Sequence, residues 1–283
     1  MIKSTKIHWG TWITRICMIL WSAFILLPFW IMFATAFKTN TEFYSNMFGL
    51  PQTPVAAAKE NFAMAWEEAQ MGPGMINTFL ICGGALVLTL ILSSMIAYEL
   101  TRRQIPFKGA LDTFYLIMML VPTIVCLTPT FFIGKTLGLF NKRMALVLFY
   151  TAHEIPFITY TMRSFFATIP HDLEEAAYID GASSFQTFLR VMLPVMRPGF
   201  VTAGIFALLD FWDEYIFAMQ LIVKKALMPA AVTILRFQMG DAVRQIWGAT
   251  FAACVIMTLP ILIIYILFND KLMGGMTAGA VKG

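Results

Sequence analysis

Three groups of residues in this 283-residue chain have types and spacing that could do chemistry. His153-Glu154 begins like H-E-x-x-H, in which two imidazoles one helical turn apart hold zinc and the glutamate acts as a base, but position 157 is Phe157. His8 and His171 lie far away along the chain, so the sequence yields no three-ligand set and none is expected to hold a metal. Gly134-Lys135-Thr136 looks like the end of a phosphate loop, yet G-x4-G-K-[ST] needs glycine at 129 and finds Pro129. There is no G-x-S-x-G nucleophile turn either, and the chain reads as a non-enzyme. The third group is Asp210, Asp213 and Glu214, which the i, i+3, i+4 spacing places on one face of a helix. They lie inside an apolar stretch, where a charge costs several kcal/mol unless it faces a cavity or a partner. With the rings of Trp212 and Tyr215 beside them, these carboxylates could line a pathway and bind solute hydroxyls. They could equally pair with a partner chain or lie near the outer headgroups.

The elements that hold these residues are apolar. The composition is 59% apolar and only 13% charged, against about 25% charged in soluble domains. Six stretches reach the ~20 apolar residues needed to cross a bilayer: 12–36, 75–98, 110–133, 144–166, 200–222 and 246–268. Several contain proline (Pro28, Pro122, Pro129, Pro156, Pro260), which a membrane bundle tolerates when neighbours satisfy the freed backbone. The fold class expected is all-α, a polytopic membrane bundle of six transmembrane helices. The apolar run from Ile13 to Phe33 is too long for a signal-peptide core and reads as a retained anchor. With both termini inside, the 20 basic residues divide only eleven to nine, so charge alone favours that orientation weakly. The net charge of +4 is spread along the chain and gives no nucleic-acid surface. Cys17, Cys82, Cys126 and Cys254 sit in apolar runs without metal-site spacing and read as small hydrophobes.

Between the fourth and fifth stretches lies a patterned polar segment, "EEAAYIDGASSFQTFLRVMLPV", from Glu174 to Val195. Asp172 and Glu175 have the spacing of a capping box. A short helix Leu173–Asp180 should follow, with Gly181 as its left-handed stop. Ser183 or Ser184 should cap a second helix, whose Phe185, Phe188, Leu189 and Met192 recur on one face, and Pro194 should end it. Upstream, Glu60–Ala69 reads as a short helix with Phe62, Ala65, Trp66 and Ala69 on one side.

Glu175-Ala176-Ala177, three residues, Gly181, nine residues, and Val191-x-Leu193-Pro194 resemble the E-A-A-x3-G-x9-I-x-L-P signature of ABC importer permeases, with Val for Ile. The ending Gly275-Met276-Thr277-Ala278-Gly279-Ala280-Val281-Lys282-Gly283 is similar to the G-L-T-A-G-x-V-K-G tail of the smaller maltose-type permease subunit. Phe211-Trp212-Asp213-Glu214 resembles the aromatic-W-N-E pattern found there. This resemblance implies a sugar importer permease working by alternating access. Its polar segment would be a cytoplasmic coupling helix docking on an ATPase through Glu174, Glu175, Ala176, Ala177, Asp180, Gly181, Leu193 and Pro194. Thr277, Ala278 and Gly279 would reach between the ATPase subunits, and Asp210, Trp212, Asp213 and Glu214 would line the substrate pathway. It further implies a second permease subunit, two ATPase subunits that carry ATP and Mg, and an extracytoplasmic solute-binding protein, which the 38–74 loop could contact. This chain itself would bind no cofactor. The location implied is the cytoplasmic (inner) membrane of a bacterium or archaeon, with both termini cytoplasmic. The corresponding divisions are 1–74 (first span and extracytoplasmic loop), 75–268 (permease core, coupling loop 167–199) and 269–283 (cytoplasmic tail). An ion-coupled secondary transporter, or an ABC permease for a solute such as glycerol phosphate, would also place carboxylates in spans.

Overall fold

The computed structural model describes residues 9–240 and 246–280, with side chains over 11–240 and 246–268. Among the described residues every regular element is helical. The chain divides into two compact units, one up to Met71 together with Ile234–Thr258, the other Gly72–Thr233 with Leu259 onward.

The first unit begins with α1 (Trp9–Ala36), which is apolar on all sides and none of whose spanning window is buried within the chain. A helix of that kind is solvated by lipid or by other membrane helices. The chain then turns through α2 (Asn40–Ser45), started by a capping box in which Thr39 Oγ1 accepts from Glu42 N and Glu42 Oε2 accepts from Thr39 N. α3 (Pro54–Glu67) follows, longer than expected and buried along Ala57, Asn61 and Ala65, while Trp66 is exposed. Of the expected stripe, Ala65 and Ala69 are buried and Phe62 is half-buried against Phe37, and the buried Asn61 beside it has a bonding task. Its Nδ2 donates to Ala36 O (3.0 Å) and Lys38 O (2.8 Å), satisfying the carbonyls at the end of α1. The buried Lys38 in turn donates to Asn46 O and Met47 O. Trp247, at the start of α14 (Trp247–Ala280), stacks on Phe43 with ring centres 5.4 Å apart.

The second unit contains α4 (Met71–Arg102), α5 (Lys108–Leu120), α6 (Leu127–Thr136) and α7 (Arg143–Phe166). After these come the short α8 (Asp172–Ile179), α9 (Ser184–Thr187) and α10 (Leu193–Val195), then α11 (Arg197–Asp213), α12 (Ile216–Leu221) and the start of α13 (Ala230–Gly240). Asn77 ties this unit together. Its Nδ2 donates to Ala226 O and Met228 O, and its Oδ1 accepts from Arg143 Nε at 2.7 Å. α7 and α11 pack closely: Gly199 lies so near Phe165 that a Cβ there would stand 2.9 Å from the ring carbon Cγ. Arg163 and Asp112 form an ion pair at 2.6 Å between α7 and α5.

Among the described residues three helices are long and apolar enough to cross a membrane, α1, α4 and α14, and two bent pairs bring the number to at most five. α7, which carries Arg143, His153, Glu154 and Arg163 in its 24 residues, is not among them. Two of the six expected stretches are also not single helices. Residues 110–133 break at Val121-Pro122, both extended, followed by a 3₁₀ turn Thr123–Cys126, and the segments on either side diverge by 93°. Residue i−1 of a proline avoids the α region, and here that bias prevails. Residues 200–222 break at Glu214, whose ψ is 122°.

Candidate functional site

Two regions gather the residues singled out in the sequence. The first is the polar segment. α8 starts at Asp172 without the expected Asp172–Glu175 capping box; its cap is His171, whose side chain makes no cap bond. Asp172, Glu174 and Glu175 occupy the first turn instead and complement the positive end of the helix dipole. The stop is as expected. Gly181 has φ +81°, Gly181 N donates to Tyr178 O and Ala182 N to Ala177 O, the paired bonds of a Schellman motif. Ser183 then caps α9, exchanging bonds with Gln186 in a capping box. Pro194 does not end this second helix. The chain continues through a wide π turn, Phe188–Met192, into α10, and bends by 77° only before α11. Pro194 has no N–H for the carbonyl of Arg190, and Leu193 N bonds back five residues to Phe188 O, so the helix widens rather than stops.

Of the residues in this segment, Glu174 and Ala177 are buried, while Glu175, Ala176, Asp180 and Pro194 are exposed and Leu193 is half-buried. Phe188 and Met192 are buried as the periodicity requires, but Phe185 and Leu189 are not. Ile179, at the tip beside Gly181, is 86% exposed. The segment is held from beneath by α4, which the sequence reading missed. Tyr98 packs on the rings of Phe166 and Phe188, the Arg102 guanidinium donates to the carbonyls of Phe166 and Ile169, and Arg103 reaches the Tyr178 hydroxyl at 3.3 Å.

The second region is a cavity of about 260 Å³ walled by α7, the end of α11, the 214–215 break and the 3₁₀ turn. It is lined by Tyr150 and His153 from α7, Asp210 and Asp213 from α11, Glu214 and Tyr215 from the break, and Thr123. Aromatic rings form its walls. Phe149 stacks on Phe217 at 3.8 Å between centres and lies parallel to the His153 ring at 5.9 Å. The expected single face of Asp210, Asp213 and Glu214 is not formed, because α11 ends at Asp213. Glu214 instead starts α12: its Oε1 accepts from Phe217 N at 2.7 Å, and its Oε2 from Ala218 N and from the Tyr150 hydroxyl at 2.6 Å. Trp212 does not line the cavity; it is buried edge-on against Phe79. Tyr150 had a readable signal, since it lies four residues before Glu154 on the same face of α7. Thr123 had none. The tail residues Thr277, Ala278 and Gly279 fall in the last turns of α14, with side chains outside the described residues, and Val281–Gly283 lie outside them altogether.

A family described as "Binding-protein-dependent transport system inner membrane component" matches residues 89–276, a stretch that holds both regions. The chain belongs to this family. It is therefore a multi-pass membrane protein and a membrane subunit of a transport system, and the ion-coupled secondary transporter has no further support. The chain is 31% identical over 270 residues to the diacetylchitobiose uptake system permease protein NgcG of Streptomyces coelicolor, covering 95% of this chain and 88% of that protein. It is 34% identical over 213 residues to the trehalose transport system permease protein SugB of Mycobacterium tuberculosis, covering 75% of each. In fold it is similar to a chain of a bacterial ABC transporter that imports the acidic polysaccharide alginate, with a TM-score of 0.80, 19% identity, and 95% and 99% of the two chains covered.

Proposed function

We propose that this chain is one half of the membrane pore of an ATP-driven sugar importer in the inner membrane of a bacterium or archaeon. A second permease subunit completes the pore, two ATPase subunits carry ATP and Mg, and an extracytoplasmic binding protein delivers the solute. Both termini are cytoplasmic. The chain performs no covalent chemistry and binds no cofactor of the ATPase reaction.

The observation that carries this reading is the α8–Gly181–α9 module. Two short helices, joined by a Schellman turn and the Ser183 capping box, make a rigid projection that moves as one body when pushed. The exposed Glu175 and Ile179 give it a charge and an apolar tip for a cleft on the ATPase. Closure of the ATPase dimer displaces this projection, and the spans tilt between inward- and outward-facing arrangements. The tail beyond Thr277 makes a second contact with the ATPase.

Sugar as the solute is supported by the transport systems of the relatives and by the cavity, where aromatic faces and carboxylates adjoin, the pairing that suits a ring bearing hydroxyls. The absence of any Lys or Arg among the described residues lining it speaks against glycerol phosphate, whose anion would be repelled. The test is ligand-stimulated ATP hydrolysis and uptake by the reconstituted complex across a panel of sugars, with Glu175→Lys and Asp213→Asn beside the wild type. Loss of coupling in the first and a several-fold loss of uptake in the second support the reading. Normal transport by both assembled variants would overturn it.

A further inference from the structure

We propose that His153, Glu154 and Asp210 form a site for one divalent transition-metal ion. Sequence spacing offered only the first two, one beside the other on α7. The packing of α11 against α7 supplies the third. One donor atom from each of the three lies within 4.8 Å of the other two, so by triangle geometry a single point stands within about 2.8 Å of all three, and small side-chain rotations bring it to the ~2.0–2.2 Å of a metal bond.

The burial of Glu154 adds to this convergence. Glu154 is 7% exposed, and among the described residues its carboxyl group meets a hydrogen-bond partner only within the cluster. The groups it faces are Asp210, another acid, and His153. The surroundings supply no compensating charge. Tyr150 spends its hydroxyl on Glu214, Asp213 is acidic, Thr123 lies 3.3 Å from His153 Nε2, and no Lys or Arg lines the adjoining cavity. Two carboxyl groups this close repel each other unless a proton or a cation stands between them. A divalent ion neutralises both.

The donor set narrows the identity. One imidazole and two carboxylates suit Zn²⁺, Mn²⁺ or Co²⁺. Cu(I) prefers thiolates, and Ca²⁺ needs six or more oxygens. The contact with Thr123 fixes the imidazole ring, as outer partners of metal-binding histidines do. Three protein ligands leave positions open, and these face the 260 Å³ cavity. The inference does not depend on which solute is carried.

The assembled complex, stripped with chelator, should be titrated with Zn²⁺ and Mn²⁺ in parallel with complexes carrying Glu154→Gln, Asp210→Asn or both. The expected result is one saturable equivalent per permease chain that the double variant lacks, with at least tenfold weaker binding in each single variant. Because a variant can fail to assemble, the wild-type complex is also loaded with Cu²⁺ in place of the native ion. Electron spin-echo spectroscopy should then detect one coordinated imidazole, absent in His153→Gln. Equal binding in wild-type and double-variant complexes, or a Cu²⁺ signal without imidazole nitrogen, would overturn the proposal.

Discussion

The Tyr150 hydroxyl donates to the Glu214 carboxylate at 2.6 Å, across 64 residues of sequence and from α7 to the break after α11. The same carboxylate accepts from the first free backbone N–H groups of α12, at Phe217 and Ala218. Glu214 is thus the bolt that lets α11 stop and α12 restart without leaving donors unpaired in an apolar setting. We expect Glu214→Ala to lower the stability of the complex by about 2 kcal/mol, the combined scale of a lost cap and a lost charged hydrogen bond. Tyr150→Phe should lose about 1–2 kcal/mol. The double variant should lose less than the sum, because both changes remove the same bond. Thermal unfolding in detergent, followed for all four proteins, checks this, and strict additivity would separate the two residues.

The α7–α11 contact makes a different prediction, from two glycines with opposite surroundings. A Cβ at Gly199 would meet Phe165 Cγ at 2.9 Å and Phe165 Cβ at 3.1 Å, and the latter atom cannot swing away. A Cβ at Gly83, on α4, meets nothing within 4 Å. Gly199→Ala should therefore destabilise by about 1–3 kcal/mol through overpacking. Gly83→Ala should be neutral or stabilise by up to about 1 kcal/mol, the difference in helix propensity. Melting temperatures of the two variants, measured side by side, give the comparison.

The prolines and Glu214 show what the sequence could and could not disclose. Pro28, Pro156 and Pro260 sit inside continuous helices, as the reading of a membrane bundle allows. Pro122 breaks its stretch, although its local sequence is no poorer in apolar residues. The difference lies in which neighbours can satisfy the freed backbone, and that is tertiary information. The break at Glu214 has neither proline nor glycine to announce it, and one of the bonds that hold it comes from Tyr150 on another helix. By contrast the Gly181 stop and the Ser183 cap were legible, since both are local bonds made by residues with a strong conformational bias. The His153–Glu154–Asp210 cluster fell between these cases. Its residues were each noticed, but their meeting depends on how two helices pack.

Gly181 supports a prediction that separates backbone strain from crowding. Its φ of +81° disfavours any residue with a Cβ, yet beyond Gly181 and its two chain neighbours no atom of the described residues lies within 4 Å of where that Cβ would be. Asparagine tolerates the left-handed region better than alanine does. Gly181→Ala should weaken the α8–α9 turn by about 1 kcal/mol, and Gly181→Asn by less. Gly181→Trp adds bulk beyond the Cβ, so a further loss of transport in that variant, with a melting temperature equal to that of Gly181→Ala, measures crowding by the ATPase. Uptake falling in the order Gly, Asn, Ala, Trp, with all four chains inserted, is the expected outcome. An equal loss for Asn, Ala and Trp would place the whole effect in the turn.

Ile179 gives the sharpest test of what the module is for. A large aliphatic residue that is 86% exposed gains nothing from folding, and its removal should leave the chain's own stability unchanged. Within this chain, then, Ile179→Ser is a silent change. If the tip fills an apolar cleft on the ATPase, the same substitution removes buried apolar area from that interface and leaves a hydroxyl where no partner was provided. The two roles diverge in one preparation. We expect Ile179→Ser to melt at the wild-type temperature as an isolated chain while retaining less ATPase on co-purification and coupling hydrolysis to transport less tightly. Ile179→Leu, which keeps the apolar volume, should restore attachment to near the wild-type level. Wild-type attachment and coupling in Ile179→Ser would move the contact surface away from the tip, leaving Glu175 and the outer face of α8 to make it.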